Sequence, residues 1–131
     1  MKAIDTNILV RFLVGDDTKQ ATKVYKLFKE TENNKEELYI PIIVLIEVIW
    51  VLESVYNSER NELINLLGEL ILMPIFKFEN LNAIQQFIPE ALSQKYDLSD
   101  LLIAQTAYLH GCNTVITFDK KASKHKLFSL L

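Results

Sequence analysis

The run Pro41-Ile42-Ile43-Val44-Leu45-Ile46-Glu47-Val48-Ile49-Trp50-Val51-Leu52 constrains the fold more than any other part of this chain. It holds ten large apolar side chains and one charge. Pro41 suits the first turn of a helix that carries the run onward to about Tyr56. The run is shorter than the about 20 apolar residues needed to cross a bilayer, so its apolar surface must be covered by protein. Glu47 is the exception within it. A buried carboxylate is costly unless it is paired, protonated or bound to a metal. Arg and Lys are absent from positions 36 to 59, so no local cation can pair with it. Either acids from elsewhere join Glu47 around a metal, or its carboxyl snorkels to solvent from a partly exposed face.

The rest of the chain alternates short apolar runs with helical patterns. Lys2-Ala3-Ile4 reads as a short buried strand ending at Asp5. A helix follows from Thr6 to Leu13, then a turn at Gly15-Asp16-Asp17. Thr18 to about Thr31 is amphipathic, with Ala21, Val24, Leu27 and Phe28 on its inner face. Leu38-Tyr39-Ile40, Ile75–Phe78 and Thr114–Thr117 read as further strands. Asn57-Ser58 caps a helix over 59–72, and Asn80 or Asn82 caps one reaching about Gln94. A helix from Asp97 to His110 is ended by Gly111. Lys120 to Lys126 reads as a short basic helix. The alternation predicts an α/β fold, with a central, mostly parallel sheet of four to five strands flanked by helices. At 131 residues, half of them apolar, the chain fits a single domain over 1–131.

Ligands of open parallel sheets bind at the carboxyl ends of the strands. Asp5 directly follows the first strand, and Asp119 follows the last by one residue. Asp100 sits in the first turn of a predicted helix. With Glu47 they form a set of four acids containing no base. Each aspartate also has a structural reading. Asp5 and Asp119 suit helix N-caps, and Asp97-Leu98-Ser99-Asp100 resembles a capping box. Taken together, the four acids suggest a site for Mg²⁺ or Mn²⁺, which prefer hard oxygen ligands. Such a site suits phosphodiester hydrolysis, where a metal activates water and offsets charge on the phosphate. The chain has 14 basic and 17 acidic residues, and setting these four acids aside leaves the bases in the majority. The acidic balance is therefore compatible with a polyanionic substrate.

Other chemistries lack their residues. There is no G-x-x-x-x-G-K-[ST] loop and no G-x-S-x-G elbow. One Cys and two His make a structural zinc site improbable. Cys112 reads as a core residue, His110 as a helix end and His125 as a surface residue. A single cysteine forms no intrachain disulfide, and the N-terminus carries no signal-peptide apolar segment. The expectation is a cytoplasmic protein with no membrane span.

Four segments in order resemble the PIN-domain proteins of the VapC toxin type. They are Met1-Lys-Ala-Ile-Asp5-Thr6-Asn7-Ile-Leu-Val-Arg-Phe-Leu, Val44-Leu45-Ile46-Glu47-Val48, Tyr96-Asp97-Leu98-Ser99-Asp100 and Thr117-Phe118-Asp119-Lys120-Lys121. The resemblance implies a three-layer PIN-like fold and a Mg²⁺- or Mn²⁺-dependent endoribonuclease. It maps the family's acidic quartet onto Asp5, Glu47, Asp100 and Asp119. Asp97, Asn7 and Thr117 match polar positions that support such a site. It also implies RNA as substrate, a small antitoxin as partner and a homodimer. Lys120, Lys121, Lys124 and Lys126, directly after Asp119, are candidates for RNA phosphate contacts; the alternative is a solvated terminal helix. Trp50, Leu52, Tyr56 and the Leu63–Leu72 helix offer apolar surface for a partner or for the core. Rival readings are a PIN nuclease of RNA processing or repair, a non-catalytic α/β binding module, and a receiver domain. A receiver domain wants paired acids after its first strand, and Asp5 stands alone.

Overall fold

Short β-rich segments separated by long helical ones leave little choice but parallel pairing, because parallel neighbours need a crossover between them. The computed structural model describes residues 1–131. Its elements divide into two compact units, Met1–Glu79 and Asn80–Leu131.

The first unit contains β1 (Lys2–Ala3), α1 (Thr6–Val14), α2 (Thr18–Asn33), β2 (Leu38–Ile40), α3 (Ile42–Ser54), α4 (Arg60–Leu70) and β3 (Phe76–Phe78). Its three strands pair in the order β1-β2-β3, both pairs parallel. Lys2 lies opposite Leu38, which in turn lies opposite Phe76. The predicted buried strand at 2–4 is half right. Lys2 and Ala3 are exposed and only Ile4 is buried, its N–H donating to the Tyr39 carbonyl at 3.1 Å. A chain of edge-to-face rings joins helix to sheet: Phe12 to Phe28 at 4.9 Å, Phe28 to Phe76 at 5.2 Å and Phe76 to Phe78 at 6.0 Å. Such pairs add to the hydrophobic term that burial of the rings already supplies.

Gly15 ends α1 with φ at 68°, and its N–H donates to the Arg11 carbonyl. That left-handed residue turns the chain sharply into α2, which packs against α1. The predicted proline at the start of α3 is its N-cap and makes no side-chain cap bond. Glu79, just past β3, supplies the missing acceptor, taking the Ile42 N–H at 3.3 Å and the Tyr39 hydroxyl at 3.3 Å. Burial, then the Glu79 charge, raise the Tyr39 phenol above its ordinary pKa. The cap of α4 differs from the expected Asn57-Ser58. Glu59 performs it, accepting from the N–H groups of Asn61 and Glu62 at 3.1 Å each. Leu52, Leu63, Ile64, Leu67 and Leu70 are buried, so most of the apolar surface considered for a partner is core.

The second unit contains α5 (Leu81–Ser93), α6 (Leu98–Leu109), β4 (Val115–Thr117), a short 3₁₀ turn (Ala122–Lys124) and β5 (Phe128–Leu130). The basic segment after Asp119 is thus shorter than predicted, and a fifth strand follows it. β4 and β5 pair in parallel, Val115 opposite Phe128. Gly111 (φ 87°) follows the last turn of α6, as expected.

His125 is buried, contrary to its reading as a surface residue. Its Nδ1 accepts the Leu127 N–H at 3.0 Å, which leaves the ring proton on Nε2. Nε2 donates to Glu90 Oε2 at 3.0 Å, and the Gln105 amide donates to Glu90 Oε1 at 3.2 Å. Tyr96 and Phe128 stand edge-on to the imidazole. This network fastens the C-terminal strand to α5 and α6. Cys112, expected in the core, is exposed. No helix is long and apolar enough to cross a membrane.

Removing one member of a buried polar network strands the others without partners. Glu90→Ala should therefore lower stability by about 3 kcal/mol in urea unfolding, and Glu90→Gln by less, since it can still accept from His125. Equal unfolding midpoints for wild type and Glu90→Ala would show that the network does not hold the unit together.

Candidate functional site

The acids of interest lie at helix N-termini or on a helix face, and each unit holds its own set. In the first unit, Asp5 follows β1 and is the N-cap of α1. Its Oδ1 accepts the Ile8 N–H at 3.3 Å. Capping does not use up a carboxylate, which has two oxygens and about four lone-pair sites. The partly buried Thr6, next to it, donates its hydroxyl to Glu47 Oε2 at 3.1 Å. α1 packs on α3, so the residue beside Asp5 orients Glu47 across that interface.

Glu47 is exposed, which corrects the expectation of a carboxylate buried in its apolar run. α3 buries Val44, Leu45, Val48, Ile49 and Leu52 on the opposite side. The apolar residues at Ile43 and Trp50, one turn to either side of Glu47, are exposed with it, at 61% each. The run looked uniformly greasy because the solvent face of α3 is apolar too. Glu47 reaches solvent, and Thr6 is the partner that sequence reasoning missed. Asn7, also exposed, shares a cleft with Asp5 between α1 and α2.

In the second unit, Asp97 caps α6, its Oδ1 accepting from Ser99 at 3.0 Å and Asp100 at 3.3 Å. Asp100 is the third residue of α6 and is only partly exposed. Asp119 follows β4. Its N–H donates to Thr117 Oγ1 at 2.9 Å, and its Oδ1 accepts from Lys121 at 2.8 Å and Ala122 at 3.1 Å. Thr117 therefore fixes the backbone that presents Asp119. In Asp5, Asp97 and Asp119 alike the backbone bonds fall on Oδ1, and Oδ2 is left for another ligand. The structural and functional readings of these acids are thus compatible.

Burial raises the Asp100 carboxyl above the ordinary aspartate range, and the charges of Asp97 and Asp119 push it further the same way. Three carboxylates of one unit thus share a field that disfavours ionisation of Asp100. Ion pairs lie elsewhere, among them Arg11–Asp16 and Lys26–Glu30. Within neither unit do three His, Cys, Asp or Glu side chains meet at the spacing of a metal's ligands. The acids of the second unit nevertheless suit a hard divalent cation, being oxygen donors that crowd one another electrostatically around a partly buried Asp100. Lys120, Lys121, Lys124 and Lys126 are all exposed beside Asp119, as a phosphate-contacting patch requires.

The PIN domain family model matches residues 2–126, a span that includes all four candidate acids. The chain is also 28% identical over 128 residues to the VapC ribonuclease of Aquifex aeolicus (strain VF5), covering 95% of this chain and 91% of that protein.

The raised Asp100 pKa sets the sign of its effect on folding. The folded protein holds this proton more tightly than the unfolded chain, so stability falls as pH rises from the unfolded value through the folded one. At neutral pH the ionised Asp100 is a destabilising group. Asp100→Asn should therefore raise the thermal midpoint at pH 7 in EDTA, and the gain should vanish near pH 3, where the wild-type carboxyl is protonated. A variant that melts below wild type at pH 7 would contradict this account of the acidic cluster.

Proposed function

The chain belongs to the PIN-domain family, and on that premise we propose that it is a Mg²⁺- or Mn²⁺-dependent endoribonuclease, the toxin of a toxin–antitoxin pair. The whole of 1–131 is then one PIN domain. Similarity along nearly the full chain to a protein named a ribonuclease supports RNA as the substrate. The observation that carries the reading is the state of the acids. Asp5 and Asp119 are pinned by backbone N–H groups through one oxygen each, and burial, then the charges of Asp97 and Asp119, raise the Asp100 carboxyl above the ordinary aspartate range. Such an arrangement is unfavourable in isolation and is relieved by a cation.

Asp5, Asp100 and Asp119 are the proposed metal-holding side chains, with Glu47 completing the catalytic set. When bound, Mg²⁺ or Mn²⁺ supplies a Lewis acid for the phosphate and lets water lose a proton near neutral pH. The protein's own part is positioning. Thr6 holds the Glu47 carboxylate, Thr117 holds the turn that carries Asp119, and Asp97 fixes the start of α6 under Asp100. Asn7 stands beside Asp5 on the exposed side of α1. Lys120, Lys121, Lys124 and Lys126 contact RNA phosphates, which gives salt-dependent and sequence-blind affinity. Water is the nucleophile, so the products carry 5′-phosphate and 3′-hydroxyl ends. The exposed Ile43 and Trp50 of α3, with Val55 just after it, provide apolar surface for the partners this role entails, a small antitoxin and a second copy of the chain. The proposed location is the cytoplasm.

The test is cleavage of a mixed RNA pool, transfer RNAs included, by purified protein in Mg²⁺, Mn²⁺ or EDTA. Activity should require the metal, and Asp5→Asn, Asp100→Asn and Asp119→Asn should each lose at least about 10²-fold, the rate equivalent of a few kcal/mol of transition-state stabilisation. Full activity in EDTA, or products ending in 2′,3′-cyclic phosphate, would overturn the mechanism. The cyclic end requires attack by the 2′-hydroxyl and not by water.

A further inference from the structure

The first unit carries a cleft of about 400 Å³ between α1 and α2, with Asp5 at one end. Such a volume lies within the range of natural small-ligand pockets. Its apolar surface comes from Ile8, Val24 and Leu27, and its cations are Arg11 and Lys23. The lining side chains follow one face of each helix. Asn7, Ile8 and Arg11 lie together along α1, while Gln20, Lys23, Val24 and Leu27 fall at i, i+3, i+4 and i+7 along α2.

Arg11 is restrained before any ligand arrives. Its Nε donates to Gln20 Oε1, and its Nη1 donates to Asp16 Oδ1 at 3.4 Å. Its side chain is only 26% exposed, so the guanidinium is partly desolvated. A guanidinium has five N–H donors, so most of them are left for an acceptor. Planar donors held in place suit a phosphate, and the entropy of ordering the side chain is already largely spent on the fold. Asp5 caps the start of α1 and Arg11 lies further along the same helix, and both line the cleft. The cleft is therefore lined by an acid, two cations, apolar side chains and the side-chain amides of Asn7 and Gln20.

We infer that this cleft is the subsite for the nucleotide adjoining the scissile bond, with Arg11 and Lys23 binding its phosphate and the partly exposed Ile8 and Leu27 receiving its base or ribose. The inference rests on the nuclease reading for the identity of the ligand, an RNA strand, but its geometry lies wholly within the first unit. It adds a second basic surface to the lysines that follow Asp119. Arg11 also has a purely structural use, since it ties α1 to the turn at Asp16 and to α2. Lys23 has no such bond and is exposed, so the two residues separate the roles.

Binding of a short fluorescent single-stranded RNA of mixed sequence, in EDTA so that cleavage does not intervene, tests the subsite apart from catalysis. Lys23→Gln should weaken binding and flatten the dependence of log affinity on log salt by about 0.7, and Arg11→Gln with Lys23→Gln by about 1.4. Arg11→Lys should retain most of the slope. Lys19→Gln, an exposed lysine of α2 outside the cleft, should leave it nearly unchanged. In cleavage assays with metal, Lys23→Gln should raise KM and spare kcat. A Lys23→Gln slope equal to that of wild type, or matched by Lys19→Gln, overturns the subsite even where cleavage proves the nuclease. Binding that depends on Lys23 in a protein that never cleaves refutes the nuclease, and with it the scissile bond that the subsite adjoins, and leaves the cleft as an RNA-binding site only. Wild-type protein that binds no RNA refutes both.

Discussion

Parallel strand pairing is the constraint on which the first unit depends. A parallel neighbour cannot be reached by a tight turn, so each step from strand to strand passes through helices. α1 and α2 make the crossover from β1 to β2, and α3 and α4 make the one from β2 to β3. Each crossover begins with a helix N-terminus just past a strand's carboxyl end. Backbone N–H groups without partners collect there, and they favour acidic side chains. Asp5 occupies that place after β1, and Glu79 reaches it from β3 to serve α3. Capping and the proposed metal site thus draw on the same residue type after β1.

Satisfying a cap and holding a cation are separable because a carboxylate has two oxygens. Backbone bonds to Oδ1 immobilise Asp5, Asp97 and Asp119, and an immobilised ligand loses less entropy when it is used. The second unit carries a cost for this. Asp100 lies near two other carboxylates and is partly buried, so its ionisation opposes folding. The Glu90–His125–Gln105 network, remote in role from the acids, supplies buried hydrogen bonds that stabilise the same unit. Strain at functional groups is commonly balanced in this way by ordinary packing elsewhere.

The local signals read correctly where one residue's chemistry settles the matter. Asp97 caps α6, Gly15 ends α1 and Gly111 follows α6, each because few other residues fit those backbone positions. The strand at Leu38–Ile40 and the helix after Pro41 were equally plain. The readings failed where the answer lay in distant partners. Glu59 caps α4 although Asn and Ser stood closer to the expected place. The fifth strand, Phe128–Leu130, has only three residues and needs β4 beside it to exist. His125 follows three lysines within six residues and looked solvated, yet its ring is buried against Glu90.

The sequence by itself determined the α/β class, the four acids and their order, because periodicity, glycine and cap preferences are properties of short segments. Their family was legible for the same reason, four short motifs in fixed order. Tertiary structure alone decided which way Glu47 faces, since a helix apolar on every side gives no amphipathic signal to orient it. It also decided that Thr6 would hold Glu47 and that Arg11 and Lys23 would line a cleft reaching Asp5. Each of these depends on how one helix lies against another, and that angle is set by the whole packed unit, not by any residue within it.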